Sequence, residues 1–207
     1  TTSFVLNGGT IRDKAENDAT LSLPTPGETG SLFHGANYVI DTDDPDIEKI
    51  TSTAANDRYK TGDVIPIIVD LDEVVYLGGY NNSSGHTANN VPLLQLETGS
   101  TDATVSYVSG SGNDSLIFNY TVGSNHESLD LDYLDSIPFD TSDVARIYSA
   151  IRDRAGNSWN MSAPSAPGGT NSLGGLKDIV IDGIAPSIDS ISTTTADGYY
   201  NEGETID

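Results

Sequence analysis

Leu116-Ile117-Phe118-Asn119-Tyr120-Thr121-Val122 decides the fold. Leu116, Phe118, Tyr120 and Val122 alternate with the residues between them, the period-2 signature of a half-buried strand. The preceding Ser109-Gly110-Ser111-Gly112-Asn113-Asp114 has the composition of a turn. Before it, Ala103, Val105 and Tyr107 alternate again, so two strands flank one turn. Working outward, Ile47 to Thr53 reads as a first strand. Ile65, Ile67, Val69 and Leu71 share one face of a second, with Pro66, Ile68 and Asp70 on the other. Pro66 asks for an open edge or a bulge nearby. Val74 to Leu77 and Pro92 to Leu96 flank a polar loop, Gly78 to Asn90. Ala145, Ile147 and Ile151 mark a further strand, and Leu176 to Ile181 the last. No 11-residue window has convincing helical periodicity. Seven or more short strands in this span predict an all-β chain, a β-sandwich.

An internal repeat sets the organisation. Thr10-Ile11-Arg12-Asp13-Lys14-Ala15-Glu16-Asn17 parallels Ala150-Ile151-Arg152-Asp153-Arg154-Ala155-Gly156-Asn157. Pro26-Gly27 and Ser31-Leu32 parallel Pro167-Gly168 and Ser172-Leu173, and Val39-Ile40-Asp41 parallels Val180-Ile181-Asp182. Pro45, Ile47 and Ile50 return as Pro186, Ile188 and Ile191; Tyr59, Gly62 and Ile65 return as Tyr200, Gly203 and Ile206. The offset is 140 near the start and 141 after a one-residue gap. The repeat therefore predicts three pieces. Residues 1–45 are the C-terminal part of a preceding repeat, 46–186 a complete repeat, and 187–207 the start of a following one. The chain opens on Thr1-Thr2 without an initiator Met, which reads as a mature or excised piece of a longer array.

Composition narrows the function classes. The 207 residues carry 31 Asp and Glu against 9 Lys and Arg, a formal net charge of −22. That sign opposes nucleic-acid binding, which needs a basic surface. Without Cys there is no disulfide framework and no thiolate zinc site. No apolar run reaches a membrane span and no signal peptide is visible, so no membrane insertion is expected in this segment. The acids comprise 23 Asp and 8 Glu. Asp suits both tight turns and Ca²⁺ loops, and a bound cation would relieve the self-repulsion of so acidic a chain. Acidic solubility is the competing reading.

The patterns Ile151-x-Asp153-x-Ala155-Gly156-Asn157, Ile181-Asp182-x-x-x-Pro186 and Tyr59-x-x-Gly62-Asp63-x-Ile65 resemble tandem immunoglobulin-like repeats of large bacterial surface proteins. Those proteins include calcium-dependent adhesins with cadherin-like linkers. The resemblance implies an immunoglobulin-like β-sandwich flanked by partial neighbouring repeats, an extracellular bacterial cell-surface location, and neighbouring repeats as partners. Glu16 departs from the pattern, standing where the other copy has Gly156, and the 13-residue loop interrupts the third strand region.

Hard cations need several oxygen ligands converging at about 2.3–2.6 Å. Asp41-Thr42-Asp43-Asp44-Pro45 offers three carboxylates in four residues and resembles the Asp-rich linkers of cadherins. In a sandwich, the turn carrying Asp153 and Asn157 lies at the same end, and Asp72 and Glu73 can reach it. This end is the expected Ca²⁺ site; the competing reading makes Asp153 and Asn157 turn residues only. Asp182 in the second linker lacks the extra acids, so it, Asp13 and Asn17 carry less weight. Asp130 and Asp132 share a strand face and offer either a second metal site or a solvated acidic surface. Trp159 reads as a packed lid over a strand. Tyr80 and His86 are the ligand-contact candidates of the polar loop, whose composition also fits a mobile connection. His34, His86 and His126 are scattered without a catalytic motif, so no enzyme is expected.

Three functions follow as expectations. The first is a calcium-rigidified structural or adhesion spacer in a long bacterial surface protein. The second is a subunit of an extracellular filament or surface sheath, with homotypic lateral or head-to-tail contacts. The third is a module binding glycans or a partner cell through the Gly78 to Asn90 loop.

Overall fold

The computed structural model describes residues 6–78, 91–140 and 151–207. Two compact units divide the chain, Thr1–Asp41 and Thr42–Asp207.

The second unit holds all the named strands: β1 (Ile47–Ser52), β2 (Arg58–Tyr59), β3 (Val64–Leu77), β4 (Leu93–Glu97), β5 (Ala103–Ser109), β6 (Asn113–Thr121), β7 (Glu127–Ser128), β8 (Asp132–Tyr133), β9 (Ile151–Arg152) and β10 (Val180–Asp182). One helical turn, α1 (Leu173–Leu176), precedes β10. The protein is mostly β, with a curled seven-strand antiparallel sheet and a small second sheet. The large sheet runs β1-β3-β6-β5-β4-β8, with β9 also on β3; the small one is β2-β10-β7.

The alternation of β3 and β6 produces the core. Ile65 pairs with Tyr120, Ile67 with Phe118 and Val69 with Leu116, and all six are buried. The same face continues through Leu94 and Leu96 of β4 and Val105 of β5. Phe139 bridges this layer to Trp159, with ring centroids 6.0 Å from Phe118 and 4.8 Å from Trp159. Burying such a side chain contributes about 1.5–3 kcal/mol, so these rings and branched chains carry the unit. Trp159 is packed as a lid, 1% exposed.

β3 is longer than the pattern predicts. Val74–Leu77, expected as a separate strand, continues Val64–Asp70 after a register break. Asp70 lies opposite Ser115 and Val75 opposite Asn113, so β3 bulges between them. β1 pairs the first part of β3, from Ser52 opposite Ile67 to Ile47 opposite Leu71, and β9 pairs Tyr76 and Leu77. The β1 ladder stops opposite Ile67, so Pro66 sits just past it, as its missing N–H requires. The expected Leu176–Ile181 strand is shortened to β10. Ser172 instead caps the helical turn, its hydroxyl accepting from Gly175 N at 3.0 Å. A side chain at Gly175 would meet Gly169 O at 1.8 Å, which fixes glycine there. Ala145 and Ile147 lie outside the described residues.

The first unit is held by turns. Among its described residues an Arg12–Asp18 bridge brackets the Asp13–Asn17 turn. Asp13 Oδ1 accepts from Ala15 N and Asn17 N, both 2.9 Å, and Asn17 Nδ2 donates to Asp13 Oδ2 at 2.9 Å.

Candidate metal site at one end of the large sheet

The bulge in β3 places Asp72 and Glu73 where β1 has stopped pairing and β9 has not begun. Asp72 clamps the incoming chain: its Oδ1 accepts from Asp46 N at 2.9 Å, and its own N donates to Asp46 O at 3.0 Å. Asn160 N donates to Pro45 O at 2.7 Å, fixing the same segment from the other side. Asp43, Asp44, Asp46 and Asp72 thereby line an open cleft of about 600 Å³ with Trp159 and Asn160. Trp159 Nε1 is buried there without a hydrogen-bond partner among the described residues.

Beside this cleft lies the turn after β9. Asp153 is fully buried. Its Oδ1 accepts from Gly156 N at 2.5 Å and Asn157 N at 2.7 Å, and its Oδ2 from Asn157 Nδ2 at 2.8 Å. Gly156 takes φ +103°, a conformation that glycine adopts without penalty. Asp153 and half-buried Glu73 each bring a carboxylate oxygen within 4.8 Å of the other. Two like charges at that distance repel by about 3–4 kcal/mol at an effective dielectric near 20. The spacing also suits a shared cation, because oxygens on opposite sides of Ca²⁺ are about 4.6–5.2 Å apart.

The structure therefore collects Asp43, Asp44, Asp72, Glu73, Asp153 and Asn157 at one end of the second unit. Asp46 joins them and was missed, although the acidic run visibly continues past Pro45. Asp41 ends the first unit, one peptide bond before Thr42.

The remaining candidates lie elsewhere. Asp132 is buried, with Oδ2 accepting from Gly168 N and Ser172 Oγ, both at 2.7 Å. Its carboxylate thus organises the loop before α1. Asp130 is exposed; burial of its carboxyl, then Asp178 and Asp132, raise its pKa above the usual carboxylate value. Gly174 leaves the space beside both, since a Cβ there would lie 2.9 Å from Asp132 Oδ2 and 3.2 Å from Asp130 Oδ2. Asp182 pairs with Arg58 across β10 and β2, at 3.3 Å. Asp13 and Asn17 form the exposed turn of the first unit, and the Asn17 hydrogen bonds hold the Asp13 pKa below its ordinary value. Tyr80 and His86 lie outside the described residues. Compared with known protein families, curated proteins and solved structures, the chain matches none. No helix is long and apolar enough to cross a membrane among the described residues.

Proposed function

We propose that the second unit is an immunoglobulin-like sandwich repeat, and that the protein is a calcium-rigidified spacer in a long extracellular adhesion protein of a bacterial surface. The observation that carries this reading is the pairing of buried Asp153 with Glu73 at a distance one cation can bridge. The acidic cleft of Asp43, Asp44, Asp46 and Asp72 supplies a negative field around it. Asn157 is the residue that holds Asp153 in place, through its backbone and side-chain N–H groups. Extracellular calcium modules bind with dissociation constants near 10⁻⁴–10⁻³ M. At millimolar calcium one such site adds roughly 0.4–1.4 kcal/mol, enough to restrict a hinge without deciding whether the domain folds. Neighbouring repeats of the array are its partners, and no catalytic step is assigned to it.

The test is small-angle scattering through a calcium titration from a chelator baseline, with melting followed in parallel. Calcium should narrow the distribution of particle lengths and raise the melting temperature. No change through several millimolar calcium would remove the spacer mechanism. A second reading, a filament or sheath subunit with homotypic contacts, is favoured by the exposed apolar residues Ile188 and Ile191, at 83% and 91%. A monomer at all concentrations in the same scattering series would count against it.

A further inference from the structure

The C-terminal 21 residues repeat several turn hydrogen bonds from the start of the complete repeat. Tyr59 OH donates to Ala55 O, and Tyr200 OH to Ala196 O. Lys60 N donates to Asp63 Oδ2, and Asn201 N to Glu204 Oε2. Ser52 Oγ donates to Pro66 O, and Thr193 Oγ1 to Asp207 O. Gly62 and Gly203 take φ +93° and +91°. Each pair is separated by 141 positions, the repeat offset, so local sequence rebuilds these turns without the rest of a repeat around them.

Burial differs sharply. Ile47, Ile50 and Ile65 are 6%, 0% and 0% exposed, whereas Ile188, Ile191 and Ile206 are 83%, 91% and 61% exposed. In the complete repeat, β1 is covered by its ladder to β3 and by α1, with Ile50 N donating to Asn171 O at 3.0 Å. The corresponding positions of 187–207 carry the same isoleucines and none of that cover.

We propose that residues 187–207 are a preformed docking surface for the body of a further repeat, a polypeptide equivalent in sequence pattern to residues 67–186. The surface continues an interface the protein already uses, the β1–β3 ladder, at a second position. Its occupant must bring an alternating apolar strand in the register of Ile67, Val69 and Leu71, since a one-residue slip turns every side chain to the wrong face. Exposed Ile188 and Ile191 then receive the cover that Ile47 and Ile50 have. The inference shares the tandem array with the proposed function but does not involve the calcium site.

The experiment extends the full chain after Asp207 with a second copy of Ile67–Pro186, and follows hydrogen exchange in chelator. Chelator keeps the result independent of calcium binding. The peptide 187–207 should exchange about 100-fold or more slowly in the extended chain than in the parent. A control extension beginning at Ile68 should give no such protection. Fast exchange of 187–207 in the in-register chain, with β3 of the first repeat still protected, overturns the proposal; so does equal protection in both registers. A second measurement needs no extension. In the parent chain Ile191→Asp should leave the melting temperature unchanged, whereas Ile50→Asp should unfold the repeat. A lowered melting temperature for Ile191→Asp would mean the face is already covered, and would overturn the proposal.

Discussion

Asp153 is where stability and ion binding separate most cleanly. Its fully buried carboxylate takes three donors from a largely exposed turn while facing Glu73 within 4.8 Å. Asp153→Ala strands those donors. Gly156 is exposed, so its N–H can turn to water, and the cost comes mainly from the two donors of Asn157. At about 1–3 kcal/mol for a buried donor left unmade, the loss should total roughly 2–4 kcal/mol. Asp153→Asn keeps an acceptor for the two backbone donors, gives up the bond from Asn157 Nδ2, and in partial compensation removes the repulsion with Glu73. Half-exposure of Glu73 and the donors on Asp153 screen that repulsion, so Asp153→Asn should lie within about 1 kcal/mol of the parent in chelator.

Calcium should change the order. At 10 mM and a dissociation constant of 10⁻⁴–10⁻³ M, the parent gains about 1.4–2.7 kcal/mol by mass action. Neither variant should share that gain, because the bridging carboxylate is gone. Urea unfolding in chelator and in 10 mM calcium, followed by Trp159 fluorescence, measures all three proteins. Expected is Asn close to the parent in chelator, and the parent clearly ahead of both in calcium. If Asp153→Asn gains as much from calcium as the parent, Asp153 is not a ligand. If Asp153→Ala is no worse than Asp153→Asn in chelator, the turn hydrogen bonds contribute nothing and the argument fails. Asp13→Ala removes the same turn from the first unit and should leave the unfolding midpoint of the second unaltered.

The two copies of that turn also differ at its left-handed residue, Gly156 at φ +103° and Glu16 at φ +68°. Gly156→Ala meets open space but an unfavourable backbone, and should cost about 1–2 kcal/mol in urea unfolding. Glu16→Gly should do the reverse, slowing amide exchange over residues 11–19. Tyr120 gives the pH dependence. Burial pushes its phenol up to about 12, against about 10 for a free tyrosine. The folded state thus favours the neutral phenol. That contribution, about 2–3 kcal/mol, is complete below pH 10 and is lost as pH rises from 10 through 12. Tyr120→Phe should remove this alkaline loss, read as urea midpoints between pH 9 and 12.

Long alternation was legible and short pairing was not. β3 and β6 were visible because Ile65 to Leu71 and Leu116 to Val122 each sustain a period of two. β2, β7 and β8 have two residues each, too few for any period. They exist through distant ladders such as Ile181 with Tyr59 and Leu96 with Tyr133. The β3 bulge was hidden for a different reason. Leu71, Glu73 and Val75 keep the same parity through it, so the pattern runs on unbroken while the register with β6 does not. The site is half legible: a strand end points to Asp72 and Glu73, and a turn motif to Asp153. The buried state of Asp153, and the Asp46–Asp72 clamp, arise from packing that no local pattern encodes.

The repeats allow local and tertiary contributions to be told apart within one chain. Asp13 and Asn17 make the same side-chain bond as Asp153 and Asn157, 2.9 Å against 2.8 Å. Sequence alone therefore builds the turn, with or without a core. Only in the second copy is the aspartate buried, and there Glu73 comes from the inward register of a long strand paired on both sides. The first unit, among its described residues, contains no strand to bring a second carboxylate to Asp13. A turn motif is thus insufficient by itself for this kind of site. What turns Asp153 from a turn-former into a candidate ligand is the β3 bulge, which sets Glu73 opposite it after β1 has let go of the strand.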